Sequence, residues 1–107
     1  MSAWLWLSAA VVLEVAGTSF LKLSDGLSRF WPTIFMFFFY GLAFVGLSMA
    51  IKRIDMSVAY AVWSGVGIVL ITFVDIFIFR SQLTSLMLFA ISLILVGVVM
   101  LKYLSPQ

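Results

Sequence analysis

Cysteine and histidine are absent from this sequence, proline occurs twice, and charged side chains make up only 9% of its 107 residues. Without cysteine there are no disulfides and no thiolate chemistry, and no hint of a redox compartment. Without histidine or cysteine, a metal site would need an all-carboxylate cluster, and Glu14, Asp25, Asp55 and Asp75 are scattered along the chain. The nucleophile and base of a hydrolase are missing for the same reason, so no enzyme is expected. A net charge of +2, dispersed along the chain, does not suit nucleic-acid binding. No cofactor is called for.

Scarce charge also excludes a soluble domain, whose polar surface must cover its core. Instead, 65% of the residues are hydrophobic and they fall into four long runs, Ala3–Leu21, Trp31–Ile51, Ser57–Phe79 and Leu83–Leu104. A run of about 20 residues, at about 1.5 Å per residue, spans a hydrocarbon core of roughly 30 Å. The expectation is an all-α membrane protein, one domain of four transmembrane helices. The segment before Glu14 has no Lys or Arg and its apolar run is broken by an acid, which fits a mature span better than a cleaved signal peptide.

Short polar connections separate the runs: Ser24-Asp25-Gly26-Leu27-Ser28, Lys52-Arg53-Ile54-Asp55 and Arg80-Ser81-Gln82. Such short links make neighbouring helices antiparallel. Trp4, Trp6, Trp31 and Tyr103 lie near run ends, where aromatic rings favour the headgroup level. Four spans put both termini on one side with Lys52, Arg53 and Lys102, and leave Lys22, Arg29 and Arg80 on the other. Equal numbers give the positive-inside rule no instruction. Either six charges balance by chance, or the chain inserts both ways round and opposite orientations pair. So small a chain encloses little interior of its own, so a homo-oligomer is expected, and a dimer is the smallest solution.

Glu14 lies near the middle of the first run, about 15 Å deep. An acid there costs roughly 2.5 kcal/mol or more to insert, so it faces a cavity or the interior of a bundle. The other runs hold no Lys or Arg at a similar depth to pair with it, since Lys102 lies two residues from the end of the fourth. A carboxyl so placed can hold a proton or an organic cation, but not both. Ala10, Gly17, Thr18 and Leu21 share its helical face, and the first three are small enough to leave space or admit a neighbouring helix. On the third run, Tyr60, Trp63 and Gly67 recur at helical spacing, and Trp63 sits far from the interface that tryptophan prefers. Beside a carboxylate such rings form a cage for a lipophilic cation, although bulky packing accounts for them as well. Tyr40 carries a phenol that needs a partner in lipid. Gly65 and Gly67 permit close packing or a kink. Ala90 and Gly97, seven apart on the fourth run, suit a helix–helix contact within or between chains. Asp75 fits an acid that reaches the interface or pairs with Lys22 or Arg80 better than a second titrating site.

Together, Leu13-Glu14-Val15-Ala16-Gly17-Thr18, Leu21-Lys22-Leu23-Ser24-Asp25-Gly26, Trp31-Pro32 and Ala59-Tyr60-Ala61-Val62-Trp63-Ser64-Gly65-Val66-Gly67 resemble the small multidrug resistance family over essentially the whole chain. The resemblance implies an exporter of the bacterial inner (plasma) membrane that works as an antiparallel, dual-topology homodimer. In it, Glu14 of each copy binds protons and cationic cargo in competition. It further implies that Tyr40, Tyr60 and Trp63 face the substrate, with Gly17 and Thr18 near the site, on the face that Ala10 shares. Gly65 and Gly67 match a flexible segment, and the stripe with Ala90 and Gly97 matches a dimer contact. The Trp63-Ser64-Gly65 and Gly17-Thr18 forms look most like the subtype that exports quaternary ammonium compounds, with guanidinium or polyamine export as alternatives. Ile54-Asp55-Met56-Ser57-Val58-Ala59-Tyr60 also resembles members that act with a paired homologue. Ala90 stands where the family often has glycine, and Ala43 where related exporters often have a hydroxyl.

Overall fold

A computed structural model describes residues 2–104. Four helices follow one another, α1 Ala3–Leu23, α2 Phe30–Ala50, α3 Met56–Phe77 and α4 Ser85–Leu104. Each is at least 20 residues long and apolar enough to cross a membrane. The chain divides into two compact units, one built from α1 and α2 and one from α3 and α4.

Local chemistry accounts for the helix ends, which lie within two residues of the expected runs. Ser2 caps α1, its Oγ accepting from the Leu5 amide at 3.2 Å. The helix runs on past Leu21 through Lys22, because backbone hydrogen bonding does not stop where hydropathy falls. Pro32 lies in the first turn of α2, where its missing N–H would have had no intrahelical partner. The third helix stops at Phe77, two residues before the apolar run does. Beyond it the chain turns through Arg80, held at φ +59°, and the Ser81 amide donates to the Asp75 carbonyl at 2.9 Å. Thr84 opens α4 two residues later than the run suggests, its Oγ1 accepting from the Met87 amide at 3.2 Å.

Between α1 and α2 the link is a hydrogen-bonded turn organised by Ser24, which is wholly buried. Its hydroxyl donates to the Leu21 carbonyl at 2.6 Å and accepts from the Leu27 amide at 3.0 Å. Its carbonyl accepts from the amides of Ser28 and Arg29, both at 3.0 Å. These bonds hold Asp25, Gly26 and Leu27 in the left-handed region, with φ of 49°, 71° and 67°. Only glycine adopts that conformation without steric cost, so the Ser24 network offsets strain at its neighbours.

In the α1–α2 unit, close approach depends on small residues. A Cβ placed on Gly46 would lie 3.0 Å from the Ala10 Cβ and 3.1 Å from the Trp6 carbonyl oxygen. Leu7, Ala10, Val11, Val15, Met36 and Ala43 are buried. In the α3–α4 unit, a Cβ on Gly65 would come within 2.6 Å of Val98 Cγ2, so α4 rests against the bare backbone of α3 at that level. No described residue of α4 is buried, and Leu86, Phe89, Leu93 and Tyr103 are largely exposed. Such surfaces suit hydrocarbon, whereas the backbone polar groups are satisfied inside each helix.

Replacing Ser24 with alanine removes the partner of the Leu27 amide and the bond to the Leu21 carbonyl. The expected loss is about 1–3 kcal/mol, read as a lower midpoint of thermal unfolding in detergent. An unchanged midpoint contradicts the role given to this hydroxyl.

Candidate functional site

Glu14 stands near the middle of α1, half-buried. Lys22, the basic residue of α1, is eight positions further along the helix, about 12 Å down the axis. The carboxyl therefore takes its hydrogen bond from a hydroxyl. Thr18, one turn on, donates Oγ1–H to Glu14 Oε1 at 2.9 Å. The phenol oxygen of Tyr40, on α2, lies 2.7 Å from the same Thr18 Oγ1.

A threonine hydroxyl has one proton to give and two lone pairs to accept with. With Glu14 ionised, the Thr18 proton goes to the carboxylate and the Tyr40 phenol donates to Thr18. The result is a directed chain from Tyr40 through Thr18 to Glu14. It satisfies an acid in a low-dielectric setting without neutralising its charge, which leaves that charge available to a cation.

Gly17 makes the chain geometrically possible. A Cβ there would lie 2.6 Å from Tyr40 Cδ1 and 2.7 Å from Cε1, distances no side-chain carbon tolerates. The tyrosine ring thus lies directly on the α1 backbone, and its hydroxyl reaches Thr18 on the next residue.

The α1–α2 unit thus brings together Glu14, Gly17, Thr18 and Tyr40. Ala10, which is small enough to leave space or to admit a helix, does the second within this unit. It is fully buried beneath Gly46 at the α1–α2 crossing, so here it packs and offers no surface to a ligand. Tyr60, Trp63, Gly65 and Gly67 belong to the other unit. Tyr60 is 64% exposed and Trp63 is half-buried. Helix α3 continues without a break through Gly65 and Gly67, both buried, and Gly65 meets Val98 of α4. Ala90 and Gly97 are exposed on α4, with open space where a Cβ on Gly97 would stand. Asp75 is half-buried on α3. Among the described residues no group of carboxylates could hold a metal ion. Sequence reasoning missed that Thr18 joins Tyr40 to Glu14. The small residue at position 17 was its one signal, since a glycine facing a tyrosine marks a ring lying on backbone.

Replacing Gly17 with alanine should push the Tyr40 ring off α1 and break its bond to Thr18, while Thr18 keeps its bond to Glu14. A double-mutant cycle of Gly17→Ala with Tyr40→Phe tests this. The hydroxyl deletion is expected to cost about 1 kcal/mol in the parent chain and close to nothing once Gly17 is changed. Equal costs in both backgrounds would show that the ring does not depend on the glycine.

The chain as a whole has relatives among known proteins. The family described as Small Multidrug Resistance protein matches residues 2–96. The uncharacterized membrane protein YvaE of Bacillus subtilis (strain 168) is 46% identical over 99 residues, which cover 92% of this chain and 83% of that one. The quaternary ammonium compound-resistance protein QacE of Escherichia coli is 42% identical over 105 residues, 98% of this chain and 96% of its own. The multidrug resistance protein EbrB of Bacillus subtilis (strain 168) is 40% identical over 102 residues, 95% and 87% of the two chains. With four spans of membrane-crossing length and a family match along nearly its whole length, this multi-pass membrane protein belongs to the small multidrug resistance family.

Proposed function

We propose that the protein exports lipophilic cations, quaternary ammonium and aromatic ones foremost, in exchange for protons. The observation that carries this reading is the Glu14 carboxyl, near the middle of a membrane-spanning helix, held by Thr18, itself bonded to Tyr40, with no basic residue within a turn along the helix. A fixed cationic mate would make it a structural ion pair. A hydroxyl chain leaves its charge for a mobile cation or for a proton. The names of the relatives, which speak of resistance to quaternary ammonium compounds and to multiple drugs, agree with such cargo.

On this reading the ionised carboxylate attracts the cation, and the faces of Tyr40, Tyr60 and Trp63 supply quadrupole attraction that does not depend on cargo shape. Protonation of Glu14 removes the attraction and releases the cation on the far side, with the chain alternating between faces. Lone copies in opposite orientations form the working dimer, which the equal split of basic residues between the two sides supports. Membrane lipids surround the apolar faces, and Ala90 and Gly97 lie at the contact between copies. Gly65 and Gly67 allow α3 to adjust as the site reorients.

Two measurements test the proposal. Proteoliposomes of the lone chain should accumulate a quaternary ammonium compound against its gradient when a proton gradient is imposed, and Glu14→Gln should abolish that flux. A full proton-driven flux in the glutamine variant would remove the central claim. Separately, Trp63→Ala should weaken binding of an aromatic cation about tenfold, roughly 1.4 kcal/mol of cation–ring attraction, while proton uptake by Glu14 changes far less. Calorimetry of both ligands makes the comparison, and an equal effect on each argues against a cation-facing ring.

A further inference from the structure

Phe20 lies on α1 two residues beyond Thr18, and its ring rests on two rings of α2. It stacks on Phe39 with centroids 5.6 Å apart and planes 3° from parallel. It also meets Phe35, one turn away on α2, at 5.2 Å and a tilt of 35°. Phe39 is the residue beside Tyr40, and it meets Phe38 in a T-shaped contact at 5.4 Å. Trp31 in turn meets Phe35 at 6.4 Å. Nothing in the hydropathy pattern distinguishes these rings from ordinary apolar residues of a span.

Their position matters because the Tyr40 to Thr18 contact tolerates little movement. It is 2.7 Å long, and a hydrogen bond is lost beyond roughly 3.5 Å. Sliding one helix past the other by two residues displaces it by about 3 Å, which stretches a bond lying across the helices to about 4 Å and breaks it. The axial register of α2 on α1 must therefore be held to within about one residue. Gly17 sets how near the two helices come, but it has no side chain to resist sliding. A single hydroxyl contact does not hold two helices in register. A ring seated on two others one turn apart does resist, since movement in either direction along α2 takes it off one of them.

We infer that Phe20 is a positioning residue for the Glu14–Thr18–Tyr40 chain. Its ring, seated on Phe35 and Phe39, sets the register that lays the Tyr40 phenol on Thr18. The inference rests on the reading of that chain as the working site of an exporter, yet its test needs no transport.

The tyrosine ring doublet in ultraviolet resonance Raman reports whether a phenol donates or accepts a hydrogen bond. The chain has three tyrosines, so the measurement uses a Tyr60→Phe, Tyr103→Phe background in which Tyr40 is the remaining one. Thr18→Val in that background supplies the signal of a Tyr40 whose partner is gone. Phe20→Leu keeps apolar bulk but removes the flat face, and it should move the doublet ratio at least half of the way to the Thr18→Val value. Phe39→Leu, which removes the other ring of the stack, should do the same and serves as the second variant if the first does not fold. A ratio that stays at its parent value in either folded variant overturns the proposal. Failure of the exporter reading shows elsewhere, as absent proton-driven flux in the unaltered chain, whatever the doublet does.

Discussion

Removing a carboxyl group from water disfavours its charge unless something within the protein takes the place of hydration. In this chain the Glu14 carboxyl accepts from the hydroxyl of Thr18 on the same helix, which is bonded in turn to the phenol of Tyr40 on the next. Neither carries a charge, so the hydrogen-bond partners that hold the carboxyl are neutral groups. The remaining features of the α1–α2 unit follow from keeping those two hydroxyls in place. Gly17 is bare so that the tyrosine ring can lie on backbone, and Gly46 is bare so that the helices meet at Ala10. The Ser24 turn returns the chain within a few residues. Small residues at the crossing and hydroxyls at the charge thus solve different parts of one problem.

Close packing of this kind differs from packing in water. Lipid is as apolar as the side chains, so helices in a bilayer gain little from burying leucine and more from letting backbones approach. The second unit uses the same device, with Val98 of α4 pressed on the bare face of Gly65. A glycine motif that reads as a flexible segment is, in this structure, an uninterrupted helix carrying a packing contact. The two descriptions are compatible, since a contact made without a side chain is also one that can slide.

Four spans, their approximate ends and the acid in the first of them were legible from the chain itself. Apolar runs report helix length directly, and a lone Glu14 in such a run stands out against its neighbours. Family likeness was legible too, since the residues that carry it lie in short contiguous stretches. Less was legible at the helix ends. Lys22 and Leu23 stayed helical although the run seemed to stop, and Phe79 left α3 because Arg80 takes a left-handed turn. Ala10 read equally well as room for a ligand or as room for a helix, and the structure packs it against Gly46. The Phe20 stack was invisible, since phenylalanine is ordinary in a membrane span and no pattern along the chain says which rings meet.

Sequence by itself determined that four apolar segments cross a membrane and that Glu14 has no cation within reach along its own helix. Hydropathy and helical rise are local properties, so a local reading suffices for both. Only the tertiary structure decided which hydroxyls serve the acid and which ring lies on Gly17. Thr18 and Tyr40 are 22 residues apart, and the distance between them is set by how two helices cross, a quantity that no stretch of either helix contains.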